Sequence, residues 1–211
     1  MKIVIPARKG SKGLPFKNRK LFRYTADIIP NEYSHLVYVV TDDDEISKYA
    51  KSYSFNVVNR PEDISQDTTS TKEVMEYCVS LISEHPSETI VMLYLTYPQR
   101  KWKHVIDSIN EYNNSNSESL LCKLEISNSP YLMLKEEDNS KGSQLFKHDL
   151  FRRQDYPKCF EISHYISIFK SKSINKLNSN MYNEDTIFFK IPSSVIDVDT
   201  QKDIDELGWK I

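Results

Sequence analysis

Two of the chain's four glycines stand within four residues of each other, in Ala7-Arg8-Lys9-Gly10-Ser11-Lys12-Gly13-Leu14-Pro15-Phe16-Lys17-Asn18, directly after the apolar run Ile3-Val4-Ile5. From Arg8 to Lys20 there are six basic residues and no acid. Glycine permits positive φ and close approach of the backbone to a ligand. Successive N–H groups then form a nest for an anion, with Arg and Lys adding full charges around it. A polyphosphate is the natural guest. The spacing is not that of a Walker A loop, because G-x-x-x-x-G-K-[ST] is absent, and it is not a dinucleotide fingerprint, because G-x-G-x-x-G is absent too.

A second constellation lies near the other end, in Val195-Ile196-Asp197-Val198-Asp199-Thr200. In a β-like run, Asp197 and Asp199 share one face and Val198 takes the other. Paired carboxylates beside a polyphosphate loop suit Mg²⁺, which binds through one or two carboxylates plus phosphate oxygens. The competing role is helix capping by Asp199 or Thr200. Thr41-Asp42-Asp43-Asp44-Glu45 also looks metal-like, but it sits where a strand hands over to a helix, and capping is the favoured reading there. Arg60-Pro61 and the hydroxyl-rich Asp67-Thr68-Thr69-Ser70-Thr71 either meet a ribose or base or cap the following helix. Thr96 and Arg100 lie at another strand's end. Arg152-Arg153-Gln154-Asp155-Tyr156-Pro157-Lys158 supplies guanidinium forks suited to a carboxylate or phosphate. The five histidines are scattered; only His164 neighbours a suspected site, and a structural role is favoured for it.

The elements that must position these residues alternate. Strands are predicted at Lys2–Pro6, Leu36–Thr41, Phe55–Val58, Thr89–Leu95, Glu118–Ser127, Phe160–Phe169 and Thr186–Ile191, with a β-like Val195–Val198. Helices are predicted at Asp42–Tyr53, Thr71–Ser83, Lys101–Tyr112 and Ser171–Leu177, with a closing helix after Val198. This βαβ rhythm predicts an α/β fold with a mostly parallel sheet and right-handed crossovers. Ligands of such sheets sit at the carboxyl ends of the strands, where the Arg8–Asn18 loop lies. Residues 129–158 are weakly patterned and read as an inserted arm with a hairpin tip. The 211 residues otherwise fit one domain.

Composition narrows the function further. A net charge of −2 and a pI near 6.2 argue against bulk nucleic-acid binding, which needs a broad basic face. No apolar run approaches a membrane span, and the N-terminus lacks the form of a signal peptide. Cys78, Cys122 and Cys159 are odd in number and widely spaced, which points to reduced thiols in a cytoplasmic protein without a metal-binding cysteine pair.

In this order the segments resemble the CMP-sialic acid synthetases, the acylneuraminate cytidylyltransferases. The likeness runs through Ile5–Pro15 with Lys17-Asn18, Val40-Thr41-Asp42, Arg60-Pro61, Asp67-Thr68, Thr96/Pro98/Arg100, Arg153-Gln154-Asp155, Pro157-Lys158 and Ile196–Thr200, so it spans nearly the whole chain. It implies a Rossmann-like nucleotidyltransferase sheet flanked by helices. CTP would lie on Ala7, Arg8, Gly10, Ser11, Lys12, Gly13, Lys17 and Asn18, with Arg60, Thr69 and Thr71 near the nucleoside. Asp197 and Asp199 would hold Mg²⁺. Arg8, Lys17 and the two aspartates would then be the catalytic set. Tyr94, Thr96, Arg100, Arg153, Gln154 and Lys158 would face an acidic sugar, whose anomeric hydroxyl attacks the α-phosphorus and expels pyrophosphate. The arm would pair two subunits into a homodimer.

The departures from that family cluster on the acceptor side. Tyr94 stands in place of a Gln, Tyr97 of a Ser, Ser163-His164 of Asn-Gly and Ser167 of a Tyr. Lys9 replaces a common Gly, and the first crossover is shortened after Phe22. The expectation is therefore CTP activation with an acceptor other than ordinary N-acetylneuraminate, such as a legionaminic-, pseudaminic- or Kdo-like acid. A nucleotide-binding homologue with impaired catalysis is the alternative.

Overall fold

A computed structural model describes residues 1–126 and 128–208. Nine strands and five α-helices are present among them: β1 (Lys2–Pro6), α1 (Lys17–Ala26), β2 (Val37–Thr41), α2 (Asp44–Ser52), β3 (Asn56–Asn59), α3 (Thr71–Ile82), β4 (Thr89–Met92), α4 (Trp102–Asn113), β5 (Ser119–Glu125), β6 (Leu134–Glu136), β7 (Gly142–Gln144), β8 (Phe160–Lys170), β9 (Ile187–Lys190) and α5 (Gln201–Leu207). Seven strands form the main sheet in the order β3-β2-β1-β4-β8-β5-β9. Six run in one direction, and β8 runs against its neighbours β4 and β5. The mostly parallel α/β sheet predicted from the apolar runs is therefore present. Ser127, the last residue of the predicted fifth strand, lies outside the described residues.

Alternation along β1 places Ile3 and Ile5 on one face and Val4 on the other, all fully buried. On the first face they meet Leu21 and Phe22 of α1, Ile46 and Ala50 of α2 and Val105 of α4. On the second, Val4, Val40 and Ile90 meet Val74, Met75 and Cys78 of α3. Burial of each such aliphatic side chain contributes about 1.5–3 kcal/mol. The sheet is thereby a rigid middle layer, and its strand ends are fixed points for a site.

Helix starts are set by side chains. The Asp43 carboxylate accepts from the N–H of Glu45 at 2.9 Å and of Ile46 at 3.5 Å, so the acidic run 42–45 caps α2 as expected. Ser70 and Glu73 form a capping box at α3. Helix α1 was not foreseen; it begins at Phe16, a non-glycine residue with φ 55°.

Two expectations are corrected. Val195–Val198 is not a strand: it is held by Val198 N–H donating to Thr96 O and Ile196 N–H donating to Gln99 Oε1, each 2.8 Å, and no neighbouring strand pairs with it. Ser171–Lys176 is a 3₁₀ rather than an α-helix. Within 129–158, β6 and β7 form a two-stranded antiparallel hairpin apart from the main sheet. No helix among the described residues is long and apolar enough to cross a membrane.

Candidate active site

The carboxyl ends of β1, β2, β3 and β4 lie side by side, and their ladder hydrogen bonds continue past the strands. Ala7 N–H donates to Val40 O, Arg60 N–H to Thr41 O and Leu93 N–H to Val4 O, each at 2.9 Å. These bonds deliver Arg8, Arg60 and Tyr94 to the rim of a solvent-open cleft of about 240 Å³. Its walls include Arg8, Gly10, Ser11, Lys17, Asn18, Arg60, Thr69, Thr71, Tyr94 and Thr96. Most of the residues expected to bind nucleotide are thus brought together, along with Tyr94 and Thr96.

The loop is braced from within. Asn18 Nδ2 donates to the Arg8 carbonyl at 2.8 Å, and Asp42 accepts from Lys9 N–H at 2.7 Å. Neither loop glycine has positive φ; that backbone conformation falls on Phe16 instead. Gly13 is required for proximity, because a β-carbon there would sit 2.4 Å from the carbonyl oxygen of Asp199, whereas one at Gly10 would meet open space.

The C-terminal aspartates face this loop. Lys17 Nζ lies 2.6 Å from Asp199 Oδ1. Asp203 accepts from the N–H groups of Asp199 and Thr200 at 2.9 and 2.6 Å, so Thr200 heads α5 and the Asp199 carboxylate is left to the cleft. Asp197 is exposed on one side, yet protein crowds its carboxyl, and this burial pushes its pKa up against hydrogen bonds from Thr96 and Tyr97. The neighbouring Asp199 raises it further, so the two carboxylates feel each other although they do not sit on a strand. Two carboxylates beside a cationic phosphate-sized cleft fit the donor set that Mg²⁺ uses. No larger His, Cys, Asp or Glu cluster suited to a metal occurs among the described residues.

Around the nucleoside end, the Arg60 guanidinium is buried and spends two N–H groups on Ile64 O, at 2.8 and 2.6 Å. It shapes the 60–64 loop as well as lining the cleft. The Tyr94 hydroxyl donates to Thr71 Oγ1, and its ring meets His164 edge-on at 5.6 Å. Burial raises the Tyr94 pKa to about 12, so it is a neutral phenol. A hydroxyl pair of this kind uses only one of its two protons internally, which leaves one donor for the cleft. His164 Nε2 donates to Asn180 O at 3.2 Å, in keeping with a structural role. Ser163 Oγ donates to Tyr97 Oη at 3.3 Å, and Tyr97 in turn bonds Asp197.

The rest of the expected acceptor set is divided. Arg100 is corrected: it is 2% exposed and cannot meet a ligand. Its guanidinium instead ties Tyr165 O, Tyr94 O and Thr25 Oγ1 together inside the fold. Arg153 and Lys158 line a second cleft with Glu125, Tyr156 and Cys159. Gln154 is exposed beside it. None of the three reaches the first cleft in this chain. Conversely, Asp67 was not singled out as a site residue, yet it lies 2.5 Å from Arg8 Nη1 and 2.7 Å from Lys12 Nζ. Its signals in the sequence were an acid opening a hydroxyl-rich loop and its place in the Asp67-Thr68 segment of the family resemblance.

A three-layer α/β fold with a cationic loop at the switch between β2 and β4, facing two carboxylates, defines a nucleotide-binding transferase architecture. Comparison with known proteins makes this specific. The cytidylyltransferase family model matches residues 2–189. The chain is 29% identical over 219 residues to the CMP-N,N'-diacetyllegionaminic acid synthase of Campylobacter jejuni, covering 98% of this chain and 91% of that protein. It is 28% identical over 153 residues to the N-acylneuraminate cytidylyltransferase of Escherichia coli O18:K1:H7, covering 69% of this chain but only 36% of that protein. Among solved structures it resembles a CMP-2-keto-3-deoxy-manno-octonic acid synthetase complexed with CTP, with a TM-score of 0.67, 14% identity and coverage of 98% and 95%. It also resembles the 4-diphosphocytidyl-2C-methyl-D-erythritol synthase of Anaerococcus prevotii, with a TM-score of 0.66, 15% identity and coverage of 97% and 93%. The chain belongs to the cytidylyltransferase family of nucleotidyltransferases.

Proposed function

We propose that the protein transfers the cytidylyl group of CTP to an acidic, sialic-acid-like sugar of the legionaminic or Kdo kind, releasing pyrophosphate. The observation that carries this reading is the placement of Arg8 and Lys12 on the loop and Lys17 at the start of α1 around a pocket with Asp199, at the carboxyl ends of parallel strands. The legionaminic acid synthase and the N-acylneuraminate cytidylyltransferase named above support the sugar class.

In this reading Arg8, Lys12 and Lys17 neutralise the triphosphate, and the loop N–H groups hold its oxygens. Asn18 keeps Arg8 in register through its carbonyl. The anomeric oxygen of the acceptor forms a bond to the α-phosphorus as the bond to the β-phosphate bridging oxygen breaks in line. Catalysis then rests on position and on charge stabilisation at the phosphoryl oxygens. Asp197, oriented by Thr96 and Tyr97, and Asp199, oriented by Asp203 through its backbone, would hold Mg²⁺. When bound, the ion would supply further neutralisation of the phosphates. With CTP as donor and unpaired thiols, the reaction belongs in the cytoplasm.

A homodimer completes the reading. Residues 132–151 of the arm expose Leu134 (68%) and Phe151 (85%), together with Leu132, Leu145 and Phe146. Such apolar surface suits a second copy, and pairing would bring a neighbouring arm's Arg153 and Lys158 towards the acceptor side. The test of the whole reading is acceptor-dependent release of pyrophosphate from CTP, lost in Asp199→Ala.

A further inference from the structure

The cations of the loop have anionic partners in the structure. Asp67 places one carboxylate oxygen 2.5 Å from Arg8 Nη1 and the other 2.7 Å from Lys12 Nζ. Lys17 is held in the same way by Asp199, at 2.6 Å. Both carboxylates line one continuous pocket with Arg8, Ser11, Lys12, Gly13, Lys17 and Thr200. A carboxylate bridging two cations through its two oxygens copies the way a phosphate group would engage them.

We infer that Asp67 is a positioning residue that occupies the Arg8–Lys12 phosphate subsite when the cleft is empty and must be displaced by the incoming polyphosphate. It preorganises the two cations and sets a threshold that the ligand has to overcome. The inference deepens the proposed function, because it takes the cleft to be a polyphosphate site. Two observations favour displacement over a permanent contact. Asp67 comes from the loop before α3, 59 residues from Arg8 in sequence, so the pairing is not imposed by local chain geometry. Its side chain is 39% exposed and that of Lys12 82%, so the bridge lies open to competition from a solvated anion. The two cations hold the Asp67 carboxyl below its ordinary range, Lys12 more than Arg8, which keeps the bridge ionised at neutral pH.

Displacement has a consequence for the other carboxylate. A ligand that spans the pocket takes Arg8 and Lys12 from Asp67 and Lys17 from Asp199 in one event. Asp199 is thereby released from its lysine as the phosphates arrive.

The experiment is calorimetric titration of inorganic tripolyphosphate, without divalent metal, into the wild type, Asp67→Asn and Asp67→Glu. Removing an exposed bridging charge is expected to tighten binding by about fivefold, in line with the worth of surface ion pairs. Asp67→Glu, which keeps the charge, should bind as the wild type does. In turnover, Asp67→Asn should lower KM for CTP without raising kcat, the mark of uniform binding. Unchanged or weaker tripolyphosphate binding by Asp67→Asn overturns the inference, and does so even if the enzyme turns over CTP normally. Tighter binding without turnover on any acceptor would instead remove the transferase reading and leave the role of Asp67 standing.

Discussion

A β-carbon at position 13 would lie 2.4 Å from the carbonyl oxygen of Asp199. At this point the phosphate loop near one end of the chain and the carboxylate segment near the other pack backbone against backbone. The contact sets the distance over which Lys17 reaches Asp199. Gly13→Ala should force the two segments apart, costing about 1–3 kcal/mol as overpacking does, and should reduce CTP turnover by more than the loss of stability explains. Thermal unfolding measured beside steady-state kinetics checks both; Gly10→Ala, with open space around it, is the control and should change neither.

Asp43 ties α1 to α2. Burial pushes its carboxyl up, but the Arg19 guanidinium at 2.7 Å and the N–H groups of Glu45 and Ile46 outweigh that and leave it lowered. A carboxyl held lower in the folded state contributes stability above its unfolded pKa and loses it as pH falls through the folded value. Asp43→Asn, which keeps a capping carbonyl oxygen but loses the charge that Arg19 faces, should destabilise by about 2 kcal/mol at neutral pH through the lost charge-assisted pair. The gap to wild type should stay flat near neutrality and close below roughly pH 4. Urea unfolding at several pH values measures it.

Tyr94 fills the wall of the cleft and donates to Thr71. Tyr94→Gln introduces an amide in place of the phenol and should change the ratio of kcat/KM between N-acetylneuraminate and a competing acidic sugar by about tenfold or more, as gained or lost hydrogen bonds to substrate hydroxyls do. Tyr94→Phe, which keeps the bulk and loses the hydroxyl, should leave that ratio nearly unchanged. Competition assays with paired acceptors decide it.

The sheet was legible because its strands are short apolar runs bounded by polar residues, and the loop was legible because local charge and glycine mark it. What escaped depends on contacts between distant residues. The buried stripe of α1, Leu21, Phe22, Thr25 and Ala26, is short and interrupted by basic residues. The alternation in Val195–Asp199 imitates a strand, but no strand edge lies beside it; single bonds to Thr96 and Gln99 hold it instead. Arg100 has the chemistry of an anion ligand, and only the packing of Tyr97, Tyr165 and Thr25 shows that its guanidinium is internal. Asp67 reads as part of a polar loop until the fold sets it against Arg8.

The most direct test of the central claim is pyrophosphate release by the purified protein with CTP and Mg²⁺, across a panel of eight- and nine-carbon acidic sugars and in parallel with Asp199→Ala. The account predicts release with a legionaminic- or Kdo-like acid, faster than with N-acetylneuraminate, and abolished in the variant. Silence with every sugar, or release that Asp199→Ala leaves intact, would contradict it.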